Sequence, residues 1–291
     1  MSKAQAHDAH DAHDAHDGAD LADVDIPPQH WSGAALDCST CEQRALLQRP
    51  PRQGCQPGHA CLHDAYARRI SRFLSWHPGL ADAQLQHPYF EVRAIAVRHA
   101  SVFRLPALLR DPDETVRMQV VQRLPIAQLL AQLPMLAQDP HREVRLRVAQ
   151  RLDPAQLGPL LRDPDYGVRE CVAARLPLPL LSALAHDPDR AVRLRVAQRL
   201  EMPALWALAA DPEGEVRRAV AQRLPTALLP RLLGDPDWRV RWEVAQRAAP
   251  AALAPLLNDD DPEVCAAARR RLPLAPAPQA GPSTHRSNAH G

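Results

Sequence analysis

One pattern recurs through most of the chain and leaves little room for any other fold. Between about His87 and Pro273, Asp-Pro pairs return at Asp163, Asp187, Asp211 and Asp235, each 24 residues after the last. His87, Asp111 and Asp139 begin earlier copies, with four extra residues ahead of Asp139. In the last copy Val264 keeps the period from Val240, while its Asp-Pro pair sits two residues late, at Asp261-Pro262. A unit this short cannot enclose a core by itself. It must bury its apolar side against the copies before and after it, which makes the chain a solenoid.

The consensus reads D-P-x-x-x-V-R-x-x-V-A-x-R-L-P, followed by about nine leucine-rich residues. Asp followed by Pro predicts a helix start, with Asp as N-cap and Pro in the first turn. Val116, Val120, Val121 and Leu124 then fall on one face of an α-helix of about three turns, and Pro125 halts it. Such a helix is too short to be stable alone. In the second half, Leu205 and Leu208 stand three apart between Pro203 and Ala210, which predicts a 3₁₀ turn. A strand is disfavoured there, because the segment is poor in β-branched residues and lacks an L-x-x-L-x-L pattern. The expected fold class is therefore all-α, with one α-helix and one 3₁₀ helix per unit of about 24 residues.

Arginine recurs in phase with the valines, at Arg93, Arg117, Arg145, Arg169, Arg193, Arg217 and Arg241. The equally periodic Asp predicts local pairing rather than a polyanion-binding surface. The charge balance agrees: residues 1 to 30 carry one Lys and seven Asp, and the rest carries 34 Arg against 27 acids, short of a nucleic-acid-binding face. Trp206, Trp238 and Trp242 break the consensus. Large aromatics in a repeat usually fill the core, but Trp238, beside Asp237 and Arg239, is a contact residue if it is exposed.

Ahead of the repeats, Cys38, Cys41, Cys55 and Cys61 follow a C-x2-C-x13-C-x5-C spacing. Four thiolates in one short segment can close around a single metal centre. Spacing alone leaves two occupants open, an iron–sulfur cluster with one thiolate per iron or a structural zinc ion held by all four thiolates, although zinc sites usually pair two short knuckles. Pro57 and Gly58 predict a turn that folds Cys55 towards Cys61. Gly54 is expected to let the backbone approach the centre. An amphipathic segment with Leu62, Tyr66, Ile70, Phe73 and Leu74 on one face suggests a helix starting near Cys61, whose N-terminal N–H groups would favour a thiolate. His59 reads as a neighbour or surface residue. Cys171 and Cys265 are isolated thiols within the array and are not expected to be ligands.

The D-P…V-R…V-A-Q-R-L units, as in Asp187-Pro188, Val192-Arg193 and Val196-Ala197-Gln198-Arg199-Leu200, resemble the leucine-rich repeat variant family. The four-cysteine segment resembles that family's iron–sulfur domain. Together the likeness covers roughly residues 31 to 273. It implies a right-handed superhelix of alternating α and 3₁₀ helices, a [4Fe–4S] cluster at its N-terminal end, and occurrence in nitrogen-fixing bacteria. It supplies no settled activity.

The expected organisation is a disordered His/Asp-rich tail over 1–30, where His7, His10, His13 and His16 recur every third residue, a cysteine-ligated domain over 31–80, helical repeats over 81–274, and a disordered tail over 275–291. No hydrolase, nucleotide-binding or metalloprotease motif occurs. The expected function is non-catalytic: the solenoid binds a partner protein, of the redox or nitrogen-fixation kind, and the cluster caps the array or responds to redox state or oxygen. Electron transfer to a redox enzyme and a zinc-capped scaffold are the alternatives. The expected setting is cytoplasmic, with no signal peptide, no membrane span and metal-bound thiolates rather than disulfides.

Overall fold

The structure is a computed structural model and describes residues 26–272. The His/Asp tract with His7, His10, His13 and His16, and the 275–291 tail, lie outside the described residues. One compact unit ends at Leu129 and a second begins at Leu130.

The first unit opens with an irregular segment around a 3₁₀ helix, Arg44–Gln48, followed by α1 (Ala67–Trp76), α2 (Phe90–Val97) and α3 (Glu114–Arg123), with 3₁₀ helices Pro78–Gln86 and Val102–Arg110 between them. The short α4 (Ile126–Ala131) runs across the boundary, and the short α5 (Leu133–Leu136) begins the second unit. In the second unit come α6 (Arg142–Arg151), α7 (Tyr166–Arg175), the short α8 (Leu178–Leu181), α9 (Arg190–Ala197), α10 (Gly214–Arg223), α11 (Trp238–Arg247) and α12 (Pro262–Arg271). Short 3₁₀ segments such as Ala204–Ala210 and Thr226–Leu232 alternate with them. Among the described residues there is no β-strand, only isolated bridges at His30–Asp64 and Gln56–Ala60.

The expected alternation of α and 3₁₀ helices is therefore present. The four extra residues ahead of Asp139 fall in the stretch where α4 and α5 replace the usual 3₁₀ turn. The core is built of small and branched aliphatics: Val116, Val120, Val121 and Leu124 have no exposed surface, and Leu205 and Leu208 keep 1% each. Burying each such side chain contributes about 1.5–3 kcal/mol, which is how repeats too short to fold alone become stable together. The helices stop where expected, because Pro125 forces Leu124 into an extended conformation.

The helix start departs from expectation. Asp111 is not the N-cap of α3; Asp113 is, accepting the Thr115 N–H at 2.8 Å. Asp165, Asp189, Asp237 and Asp261 cap α7, α9, α11 and α12 in the same way. The Asp of the Asp-Pro pair instead accepts the N–H two residues on, closing a turn (Asp187 to Asp189, 2.9 Å), and receives a two-pronged guanidinium from the preceding repeat. Arg169 donates to Asp187 at 2.7 and 2.9 Å, Arg193 to Asp211 at 2.7 and 3.1 Å, and Arg217 to Asp235 at 2.8 Å through both nitrogens. Arg93–Asp111, Arg145–Asp163 and Arg241–Asp259 repeat the arrangement. Six of the seven ladder arginines are thus paired with a carboxylate of the following repeat, as expected, and Arg117 donates to the Asp111 and Pro112 carbonyls. The last repeat did not slip either: Asp259 holds the ladder position, and Asp261-Pro262 is the cap and first turn of α12.

Candidate metal centre

Each cysteine is held by local backbone chemistry. Asp37 accepts hydrogen bonds from the Ser39 N–H (2.8 Å), the Ser39 hydroxyl (2.6 Å) and the Thr40 hydroxyl (2.9 Å), which winds the chain tightly between Cys38 and Cys41. Those bonds hold its carboxyl below the usual range. The Cys41 sulfur accepts the Gln43 N–H at 3.3 Å. Gly58, at φ +79°, follows Pro57 in a tight turn closed by reciprocal Gln56 and Ala60 backbone bonds of 2.8 and 2.7 Å. The turn folds Cys55 back beside Cys61, as the Pro-Gly pair predicted.

Gly54 is needed for a different approach from the one expected. A Cβ there would overlap the Leu46 carbonyl oxygen and lie 2.8 Å from that of Arg49, so Gly54 lets this stretch of backbone rest on the 3₁₀ helix, where the Cys55 N–H donates to the Leu46 carbonyl. No helix begins at Cys61. The first helical residue is Ala67, because Asp64 spends its carboxylate on the Tyr66 N–H and on a buried pair with Arg69, whose second nitrogen also donates to the Ile26 carbonyl. Thiolate stabilisation at Cys61 comes from elsewhere: a hydrogen bond from Cys55 first, against burial, with help from the His63 and Asp64 N–H groups. Its titration is lowered, while that of Cys55 is pushed up by the same bond and by burial. Burial raises Cys38 as well, with Cys61 and Cys41 adding to it.

All four thiols line one cavity of about 340 Å³, whose wall also includes Leu36, Leu47, His30 and His63. Cys55 and Cys61 are buried and Cys38 and Cys41 half-buried. Among the described residues no three His, Cys, Asp or Glu side chains converge closely enough to hold a single ion. A tetrahedral zinc ion with bonds of about 2.3 Å would need its sulfurs within about 3.8 Å of one another. Four soft sulfur donors around one cavity have the chemistry to hold either a multi-iron centre or a zinc ion.

His30 and His63 also line the cavity, and cysteine spacing gives no signal for either. Their rings stack at 5.9 Å, His63 lies 5.9 Å from His87, and Trp31 stacks on Tyr89 at 5.8 Å, joining the cysteine segment to the start of α2. Burial lowers the titration of His63 and His87, and the neighbouring imidazoles add to it. His59 points elsewhere: exposed, it tilts on Trp76 at 5.8 Å, and its carbonyl accepts from Arg72. Cys171 is half-buried in α7, and burial pushes its thiol up. Cys265, buried in α12, donates its S–H to the Asp259 carbonyl at 3.1 Å, the bond a ladder arginine makes in other repeats.

The family described as the LRV protein FeS4 cluster matches residues 28–83, and the leucine-rich repeat variant family matches 90–113, 166–189 and 214–237. A solved structure, "a leucine-rich repeat variant with a novel repetitive protein structural motif", is 42% identical over 85% of this chain and all of its own, with a TM-score of 0.76. The chain belongs to the leucine-rich repeat variant family. Its front segment belongs to that family's iron–sulfur cluster domain. A Rhodobacter capsulatus protein, described as an uncharacterized 27.7 kDa protein in the nifB 3′ region, is 51% identical over 100 residues. That match spans 34% of this chain and 40% of the relative. No helix among the described residues is long and apolar enough to cross a membrane.

Proposed function

We propose that this leucine-rich repeat variant protein is a non-catalytic iron–sulfur protein, in which Cys38, Cys41, Cys55 and Cys61 hold a [4Fe–4S] cluster and the repeat surface binds a partner protein. The single observation that carries the cluster reading is the one cavity lined by all four thiols, within the segment that the iron–sulfur cluster family matches. When bound, such a cluster supplies a one-electron redox centre. Cys55 and Cys61 would hold its buried side from the Gln56–Ala60 turn, and Cys38 and Cys41 its outer side from the Asp37 turn. The relative described from a nifB 3′ region is the reason to look for that partner first among nitrogen-fixation proteins.

The half-burial of Cys38 and Cys41 favours a second reading, electron transfer, since a cluster edge near the surface can exchange electrons with a docked protein. Redox titration of the anaerobically purified protein separates the two. A reversible one-electron couple that reduces or oxidises an added partner supports electron transfer; a cluster that decays on reduction leaves it as a structural cap. Single Cys→Ser changes at the four positions should each strip most of the iron, while Cys171→Ser and Cys265→Ser should leave iron content unchanged. Full iron retention in Cys38→Ser or Cys55→Ser would remove that cysteine from the ligand set.

A further inference from the structure

Away from the cysteines, α10, α11 and α12 border a second cavity of about 290 Å³, lined by Arg218, Trp238, Arg239, Trp242 and Glu263. Trp238 and Trp242 stand one turn apart on α11, and Trp238 is 44% exposed. Neither fills the core, contrary to the usual fate of an aromatic in a repeat. Where Trp238 stands, the preceding repeat has Gly214, and a side chain there would overlap the Asp237 carboxylate.

The charges decide what the cleft can hold. Arg218 donates to Glu243 at 3.2 Å, and Glu243 also accepts from Gln222 at 2.7 Å. Arg239 is held two-pronged by Asp237 at 3.0 and 2.9 Å. Both guanidiniums in the wall are thus matched by carboxylates. Glu263 is not: its N–H donates to Asp261, but among the described residues its carboxylate has no ion-pair partner. What the cleft offers is two indole rings and one unmatched negative charge, the elements of a cation-recognition site. The same array already shows the contact in miniature, with the Arg231 guanidinium 5.5 Å from the Trp206 ring centre.

We propose that the Trp238–Trp242–Glu263 cleft is a docking site for an arginine side chain presented by a partner protein. The proposal rests on the reading of the array as a partner-binding surface and names the chemistry that surface selects. It is independent of the cluster, so its test leaves the cysteines alone.

The test is NMR of the full chain with ¹⁵N-labelled indoles, titrated with the capped tripeptides Gly-Arg-Gly, Gly-Lys-Gly and Gly-Glu-Gly. Gly-Arg-Gly should shift the Trp238 and Trp242 signals saturably, more strongly than Gly-Lys-Gly, and leave Trp31 and Trp76 in place. Gly-Glu-Gly should have no effect. Glu263→Gln should weaken the response about fivefold, and Trp242→Leu should abolish the shift at Trp238, with unchanged remaining indole signals showing that each variant is folded. No saturable shift, or an equal shift with Gly-Glu-Gly, would overturn the proposal. Shifts confined to Trp206 would overturn the cleft while keeping the array as a binding surface. Dependence of the two signals on protein concentration, or on removal of residues 273–291, would give the cleft to a second copy or to the chain's own end and overturn the partner assignment.

Discussion

At Arg193 every guanidinium nitrogen is in use: two reach Asp211 in the next repeat, and the third donates to the Asp187 and Pro188 carbonyls at 2.9 and 3.1 Å. The pair is 11% and 3% exposed, so loss of the guanidinium leaves the Asp211 carboxylate buried without a counter-charge, held only by the Glu213 N–H. Arg193→Ala should cost about 3–5 kcal/mol in urea unfolding. Arg190→Ala, which breaks the exposed 3.7 Å contact with Glu215, should cost under about 1 kcal/mol. Equal costs would show that the ladder is not a buried network. At Arg241 the pairing lowers the titration of Asp259 and raises its own. A depressed carboxyl contributes stability that is present above its unfolded value near ~3.9 and is lost as pH falls through the lower folded one. Asp259→Asn should therefore lower stability at pH 7 and flatten its fall below about pH 4, read from urea midpoints across pH. The sequence showed that Asp and Arg were matched. It did not show that the pairing runs 18 residues forward, because an Asp before Pro has the same side-chain acceptor whether it caps a helix or closes a turn.

Among elements, the short helices owe their ends to neighbours as much as to themselves. A second arginine, from the V-A-Q-R-L part of the repeat, reaches back to the last carbonyls of the preceding helix. Arg199 donates to Ala173 at 2.7 Å and Arg223 to Ala197 at 2.8 Å, while Arg175 and Arg247 contact Ala149 and Ala221. These carbonyls have no partner within their own helix, so the bond does the work of a C-cap. The periodic arginine was visible in the consensus, but its target, 26 residues upstream, was not. At the front ends, Asp189→Ala should cost about 1 kcal/mol through the lost cap on α9, measured by thermal or urea unfolding. A neutral result would mean that the Asp187 turn alone sets the start of the helix. The cysteine segment shows the same mixture of legible and hidden features. Its thiol spacing and Pro57-Gly58 turn could be read directly, whereas His30 entered the cavity wall through a fold no spacing rule describes.

For the molecule as a whole, the register of 24 residues is the organising quantity. Deleting 187–210 would bring Asp211 directly after His186, into the place Asp187 leaves, where Arg169 can pair with it. Such a shortened protein should fold with helical circular dichroism reduced in proportion. Deleting only 187–198 puts the next carboxylate out of phase and should yield aggregated or unfolded protein. A cooperative fold in the half-repeat deletion would contradict the repeat as the unit of stability. The family membership and the alternating helices were legible in the sequence because their signal repeats. The cluster domain occurs once, and its claim rests on four thiols around one cavity. The most direct test is iron, zinc and acid-labile sulfide analysis of anaerobically purified full-length protein, alongside its visible spectrum. The expected result is about four iron and four sulfide per chain with a broad absorption at ~400 nm. About one zinc per chain with no sulfide, in a colourless protein, would contradict it.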